Sequence, residues 1–172
     1  MSGTMIEQLQ ITAVQAALSY DLDPALVCAI CDKESAWNPW AIRYEPVFYS
    51  AYIRDMGTDR LYKANPNMRS GIPTVETEKF MLAYSYGLMQ VMGQTAREAG
   101  FNSQFLSELF DVGVNLKFGC IVLGQKIKKY KIPDAISAYN AGSPTKSNRY
   151  YVNKVLGLYD EYQDKVNKIR GK

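Results

Sequence analysis

Histidine is absent from the 172 residues. A Ser-His-Asp triad, a Cys-His pair and an HExxH zinc site are therefore excluded within the chain, and acid–base chemistry falls to Asp, Glu, Lys, Tyr or Cys. Cysteine is scarce as well. Cys28, Cys31 and Cys120 are too few for a disulfide framework and one short of the four thiolates that a histidine-free structural zinc site needs. Cys28 and Cys31 spell C-x-x-C, but a redox version of that motif opens a helix after a strand, and this pair sits inside an apolar helical stretch. We read all three as small buried hydrophobes. Long apolar runs are also missing. The longest, Ala25 to Cys31, falls far short of the ~20 residues that span a bilayer, so no stable membrane insertion is expected. Met1 to Glu7 shows neither a basic nor an apolar signal region, so no secretory signal is visible, and a target outside the cytoplasm would require another means of delivery.

What is present is a composition close to the globular norm, 47% hydrophobic and 22% charged. A length of 172 residues suits one domain. The net charge of +3, without a recognisable motif, argues against nucleic acid as a partner, and nothing suggests an obligate oligomer, so a monomer is expected. The periodicity is helical nearly throughout, which predicts a mainly α fold with at most a small sheet. Thr4 and Glu7 make a capping-box pattern before Ile6, Leu9, Ala13 and Ala16. Asp23-Pro24 opens a second helix expected to run to about Trp37, where Asn38-Pro39 stops it. Asp111 caps a third, bearing Leu116, Cys120, Leu123 and Ile127. Pro133-Asp134 begins a short helix ending near Asn140-Ala141-Gly142. A last helix carries Val152, Val155, Tyr159, Tyr162, Val166 and Ile169, with a basic end at Lys165, Lys168, Arg170 and Lys172. The stretch 44–83, with Pro46, Pro66, Pro73 and scattered tyrosines, reads as an inserted segment of loops and short helices.

On a wheel of the second helix, Leu26, Val27, Ile30, Cys31 and Trp37 share one arc, and Glu34 lands in its middle while Asp32 and Ser35 fall outside. Burying a carboxylate costs several kcal/mol, at about that order, unless something compensates. Two readings stand. Glu34 is a structural group paired with a cation or with helix N–H groups, or it lies in an apolar cleft wall. In the second case its pKa rises and it serves as a general acid towards a leaving oxygen.

Glu34-Ser35, Gly87-Leu88-Met89-Gln90, Ala138-Tyr139-Asn140-Ala141-Gly142 and Tyr151-Val152 occur in this order. The series, from about Leu26 to Leu156, resembles the soluble lytic transglycosylase family, whose catalytic domain has a goose-type lysozyme-like fold. The resemblance implies cleavage of the β-1,4 bond between N-acetylmuramic acid and N-acetylglucosamine in peptidoglycan strands, with no metal and no organic cofactor. It also implies action at the cell wall. Carried over, Glu34 is the single catalytic acid/base. Met89 and Gln90 line the sugar cleft, Tyr139 and Asn140 face the reacting sugar, and Tyr151 is the tyrosine of the late Y-V pair. Amides and phenols suit the N-acetyl and hydroxyl groups of a neutral sugar, and Met and Tyr cover its C–H face.

Two departures stand out. Glu34 and Gly87 are 53 positions apart, where many members have roughly twenty, and Tyr84-Ser85-Tyr86 replaces the usual lead-in, with Ser85 standing in for a serine there. The extra segment, starting at Arg43-Tyr44-Glu45, is expected to cap or extend the sugar cleft, with Tyr44 touching sugar. Its presence makes the chain look more like phage or prophage members. The alternatives are a hydrolysing lysozyme on the same fold, with Glu45 or Glu76 as base, and a glycan-binding virion or secretion component without catalysis.

Overall fold

In the computed structural model, which describes residues 3–171, the helices sit close to their expected positions, and the shifts at their ends are informative. Helix α1 (Gly3–Ser19) begins one residue ahead of the predicted cap, taking Thr4 into its first turn. Leu9, Ala13, Val14 and Ala17 line its buried face. Asp23 caps α2 (Pro24–Ser35) by accepting from the Ala25 N–H at 2.9 Å, and Pro24 occupies the first turn, where its missing N–H costs nothing. Every residue from Pro24 to Cys31 is buried, so α2 is a core helix rather than a one-sided stripe. Removing Leu26, Val27 and Ile30 from water contributes about 1.5–3 kcal/mol each.

The end of α2 differs from expectation. It stops at Ser35, before Trp37 and before Asn38-Pro39, because Ala36 (φ 48°) and Trp37 (φ 65°) both enter the left-handed region and the Ala36 N–H closes onto Asp32 O. Two adjacent non-glycine residues there carry a cost of roughly 1–2 kcal/mol each. Asp32, placed in the solvent by the wheel, is half-buried and accepts a hydrogen bond from Tyr162 at 2.7 Å.

The chain forms two compact units. One consists of the segments up to Trp37 and from Gly119 onward, the other of Asn38–Phe118. In the second unit, β1 (Ile42–Tyr44), α3 (Pro46–Phe48), a π-helical turn (Tyr49–Ile53), α4 (Thr58–Ala64) and α5 (Val75–Leu82) lead to β2 (Tyr84–Tyr86) and β3 (Val91–Met92). The strands form an antiparallel sheet in the order β1-β2-β3, with Arg43 opposite Ser85 and Ser85 opposite Met92. Helix α6 (Gly93–Glu98) follows. Between α5 and α6 runs a buried polar staple. Arg97 Nε donates to Glu78 Oε1 at 2.8 Å and its Nη1 to the Phe101 and Ser103 carbonyls, while Asn65 Nδ2 reaches Glu78 Oε2. Removing one member of such a pair costs about 3–5 kcal/mol.

Helix α7 (Val112–Lys129) is capped as expected, with the Val114 N–H on Asp111 Oδ1 at 2.9 Å, and Leu116, Cys120 and Leu123 are buried. In the first unit, α8 (Ile132–Ala141) ends at Gly142 (φ 80°), and α9 (Arg149–Arg170) packs on α2 and α8 through Tyr151, Val155, Tyr162 and Val166. Lys172 and the Arg170 side chain, part of the expected basic terminus, lie outside what the structure describes, as do Met1 and Ser2. All three cysteines are buried free thiols. Burial pushes Cys28 and Cys120 up to about 12 and Cys31 well above the usual range, as inert packing groups require.

Candidate active site

In the first unit, Glu34 occupies the last turn of α2 and is half-buried. The carbonyl end of a helix opposes negative charge, so this placement works against the carboxylate. Working for it is Tyr151, 7% exposed in the first turn of α9, whose hydroxyl donates to Glu34 Oε1 at 2.5 Å. Lys33 Nζ stands 5.3 Å from the Tyr151 ring centroid, within cation–π distance. Tyr139, in the last turn of α8, has its phenol pushed well above the usual value, by burial first and then by the Glu34 charge. The structure therefore brings Glu34, Tyr139 and Tyr151 into one electrostatic neighbourhood. Asn140 follows Tyr139 and is exposed at the helix end.

In the second unit, Gly87-Leu88-Met89-Gln90 forms the tight turn joining β2 to β3. The Gln90 N–H returns to Gly87 O at 3.2 Å, and the Gly87 N–H reaches Ala41 O at 2.8 Å. Gly87 has φ 68°, and a Cβ added there would stand 2.5 Å from Asn115 Nδ2 and 3.0 Å from Leu109 O, so only glycine fits. Gln90 is also left-handed (φ 46°) and donates its side-chain amide to Ala41 O and Gly87 O, leaving its Oε1 for other partners. Met89 is 0% exposed and Ser85 is buried in the sheet, so neither presents its side chain at the surface. Tyr44, at the end of β1, is half-buried, with its ring 5.0 Å from that of Tyr84 and 6.2 Å from that of Tyr49. Desolvation and these two phenols raise it. Of the candidate bases, Glu45 accepts from Arg43 Nε at 2.5 Å, and Glu76 lies on the exposed first turn of α5, 4.0 Å from Lys79.

Two residues here escaped the sequence reading. Asn115, fully buried, is the clamp of the turn. Its Oδ1 accepts from the Met89 N–H at 2.8 Å, and its Nδ2 donates to Tyr86 O and Leu109 O. The one available signal was an amide among Val114 and Leu116. Trp40 is 71% exposed, its ring 5.8 Å from that of Phe110. An aromatic displayed so openly directly after Asn38-Pro39 is the kind of platform a sugar face uses. Among the described residues no group of three or more acidic or cysteine side chains is placed to hold a metal ion, and no helix is long and apolar enough to cross a membrane.

Helices predominate, the sheet is small, and a glutamate sits in the last turn of the second helix. These features define a mainly helical protein with a small antiparallel sheet. The family model described as Transglycosylase SLT domain matches residues 12–155, most of the chain, and the protein belongs to that family. Its type of function is accordingly that of a lytic transglycosylase acting on peptidoglycan. No solved structure matches the chain.

Proposed function

We propose that the whole chain works as one catalytic domain that cleaves the β-1,4 bond between N-acetylmuramic acid and N-acetylglucosamine and closes a 1,6-anhydro ring on the muramic acid. The observation that carries this reading is the Tyr151 hydroxyl on Glu34 Oε1 at the end of α2. Protonated Glu34 gives its proton to the glycosidic oxygen as the bond from C1 breaks, and the substrate's own N-acetyl oxygen stabilises the positive charge at C1. The bond from Tyr151 strengthens as Glu34 becomes a carboxylate, which is the direction a transition-state contact requires. Glu34 then takes the proton of the C6 hydroxyl as that oxygen attacks C1. The attack is intramolecular, so neither a second carboxylate nor an activated water is needed.

Tyr139 and Asn140 bind the reacting sugar. Gln90, with its free amide oxygen, and Tyr44 bind neighbouring sugar, and Met89 and Ser85 support that surface. The segment 44–83 extends the glycan-binding surface, and the protein acts on glycan strands at the cell wall. The test is mass spectrometry of fragments released from purified peptidoglycan. Fragments lighter by one water than the hydrolytic products are expected, and exclusively hydrolytic ends overturn the anhydro step. No release at all by folded protein would mean a glycan binder rather than an enzyme.

A further inference from the structure

The strained end of α2 is held at a second point, by a residue that lies beyond the family-matched span. We infer that Tyr162 is a positioning residue for Glu34, its hydroxyl bracing the helix end on both sides of that carboxyl group. The inference rests on Glu34 being the acid proposed above. The Tyr162 hydroxyl accepts from Trp37 Nε1 at 2.7 Å and donates to Asp32 Oδ2 at 2.7 Å, with Gln10 Nε2 a weaker third partner at 3.4 Å. A phenol has one donor and two acceptor sites, so this group is saturated. Asp32 lies two residues before Glu34 and Trp37 three after. Between them are Ala36 (φ 48°) and Trp37 itself (φ 65°), the two left-handed residues that end the helix.

A strained backbone persists only where its surroundings over-determine it. Here the surroundings are the 3% exposed indole of Trp37 and the 2% exposed ring of Tyr162, their centroids 6.0 Å apart. Burial, and then the bond to Asp32, push the Tyr162 phenol well up, so its proton stays in place as a donor. Tyr151 and Tyr162 are eleven residues apart on α9, about three turns, which sets both on one stripe. One helix thus holds the Glu34 carboxyl group directly and the turn beneath it indirectly.

The test is Tyr162→Phe, which keeps the ring and removes the hydroxyl, compared with Asp32→Ala and Asp32→Asn. The amide oxygen of Asp32→Asn still accepts from the phenol. With far-UV circular dichroism establishing the fold, kcat on soluble glycan strands should fall about tenfold in Tyr162→Phe and Asp32→Ala with KM within about twofold, and Asp32→Asn should keep at least half of it. Amide hydrogen exchange at Glu34 to Trp37 should quicken in the two impaired variants and not in Asp32→Asn. An unchanged kcat in Tyr162→Phe overturns the inference, as does an Asp32→Asn as impaired as Asp32→Ala. If the wild type releases nothing from peptidoglycan, the proposed function fails, and the exchange measurement decides the brace alone. Unchanged protection in Tyr162→Phe then rejects it. Should Tyr162→Phe not fold, Trp37→Phe, which removes the indole donor to the same hydroxyl, must lower kcat as well, and an unchanged kcat there overturns the inference.

Discussion

The Glu34 end of α2 is held by phenols from a helix 117 or more residues away, whereas the Gly87–Gln90 turn is held by amides, from Asn115 at 26 residues and from Gln90 within the turn itself. Both segments contain left-handed residues. In the turn, one of them is a glycine whose missing Cβ is filled by a neighbour; at the helix end, neither Ala36 nor Trp37 is a glycine, and side chains absorb the cost. A turn built on backbone shape tolerates no added atom. A helix end braced by hydroxyls survives the loss of one oxygen but loses alignment. The two segments therefore break differently.

The largest effect on stability is expected at the turn. Gly87→Ala combines an unfavourable φ with a contact of 2.5 Å to Asn115 and should destabilise by about 2–4 kcal/mol in chemical denaturation. A loss below about 1 kcal/mol would mean that the clamp yields. At the helix end, Tyr151→Phe should leave denaturation midpoints nearly unchanged while lowering kcat by roughly 10–100-fold, the loss of one charge-assisted bond made strongest in the transition state. A variant that loses stability and keeps its turnover would make Tyr151 a packing residue only. Trp40→Ala, on an open surface, should alter stability by no more than about 0.5 kcal/mol. On long glycan strands it should raise KM severalfold, and an unchanged KM removes Trp40 from sugar binding.

The smallest effect concerns the thiols. Cys28 and Cys120 are raised from the usual 9 to about 12 by burial, so above pH 9 the unfolded chain releases protons that the folded one keeps. Their contribution is complete below pH 9 and declines as the pH rises towards 12. Stability should fall over that window, less steeply when both are replaced by Ala. In the folded protein at pH 8 all three should resist thiol-modifying reagents.

Legibility in the sequence followed the range of the interaction. Asp23-Pro24, Asp111 and Gly142 act within a few residues, and the helices begin or end where these residues said they would. The order of the four short motifs was enough for the family. Asp32 was misplaced because a wheel compares faces of one helix and knows nothing of a phenol on α9 that reaches a polar atom from the side. Ending α2 at Ser35 was equally out of reach. The signal Asn38-Pro39 is local and real, but Trp37 is already left-handed and bonded to Tyr162, a tertiary contact that no local pattern reports. Asn115, and the Arg97–Glu78–Asn65 staple, likewise bind partners far along the chain and leave no periodic trace.

The claim beneath all of this is that one carboxyl group at the end of α2 moves the proton. Its most direct test is release of soluble fragments from purified peptidoglycan by Glu34→Gln, an isostere that can neither give nor take that proton. A folded variant with release reduced by about a thousandfold or more, on the order of losing an essential acid/base, is the predicted result. Release at the wild-type rate from a protein with an unaltered circular dichroism spectrum and melting temperature would contradict it.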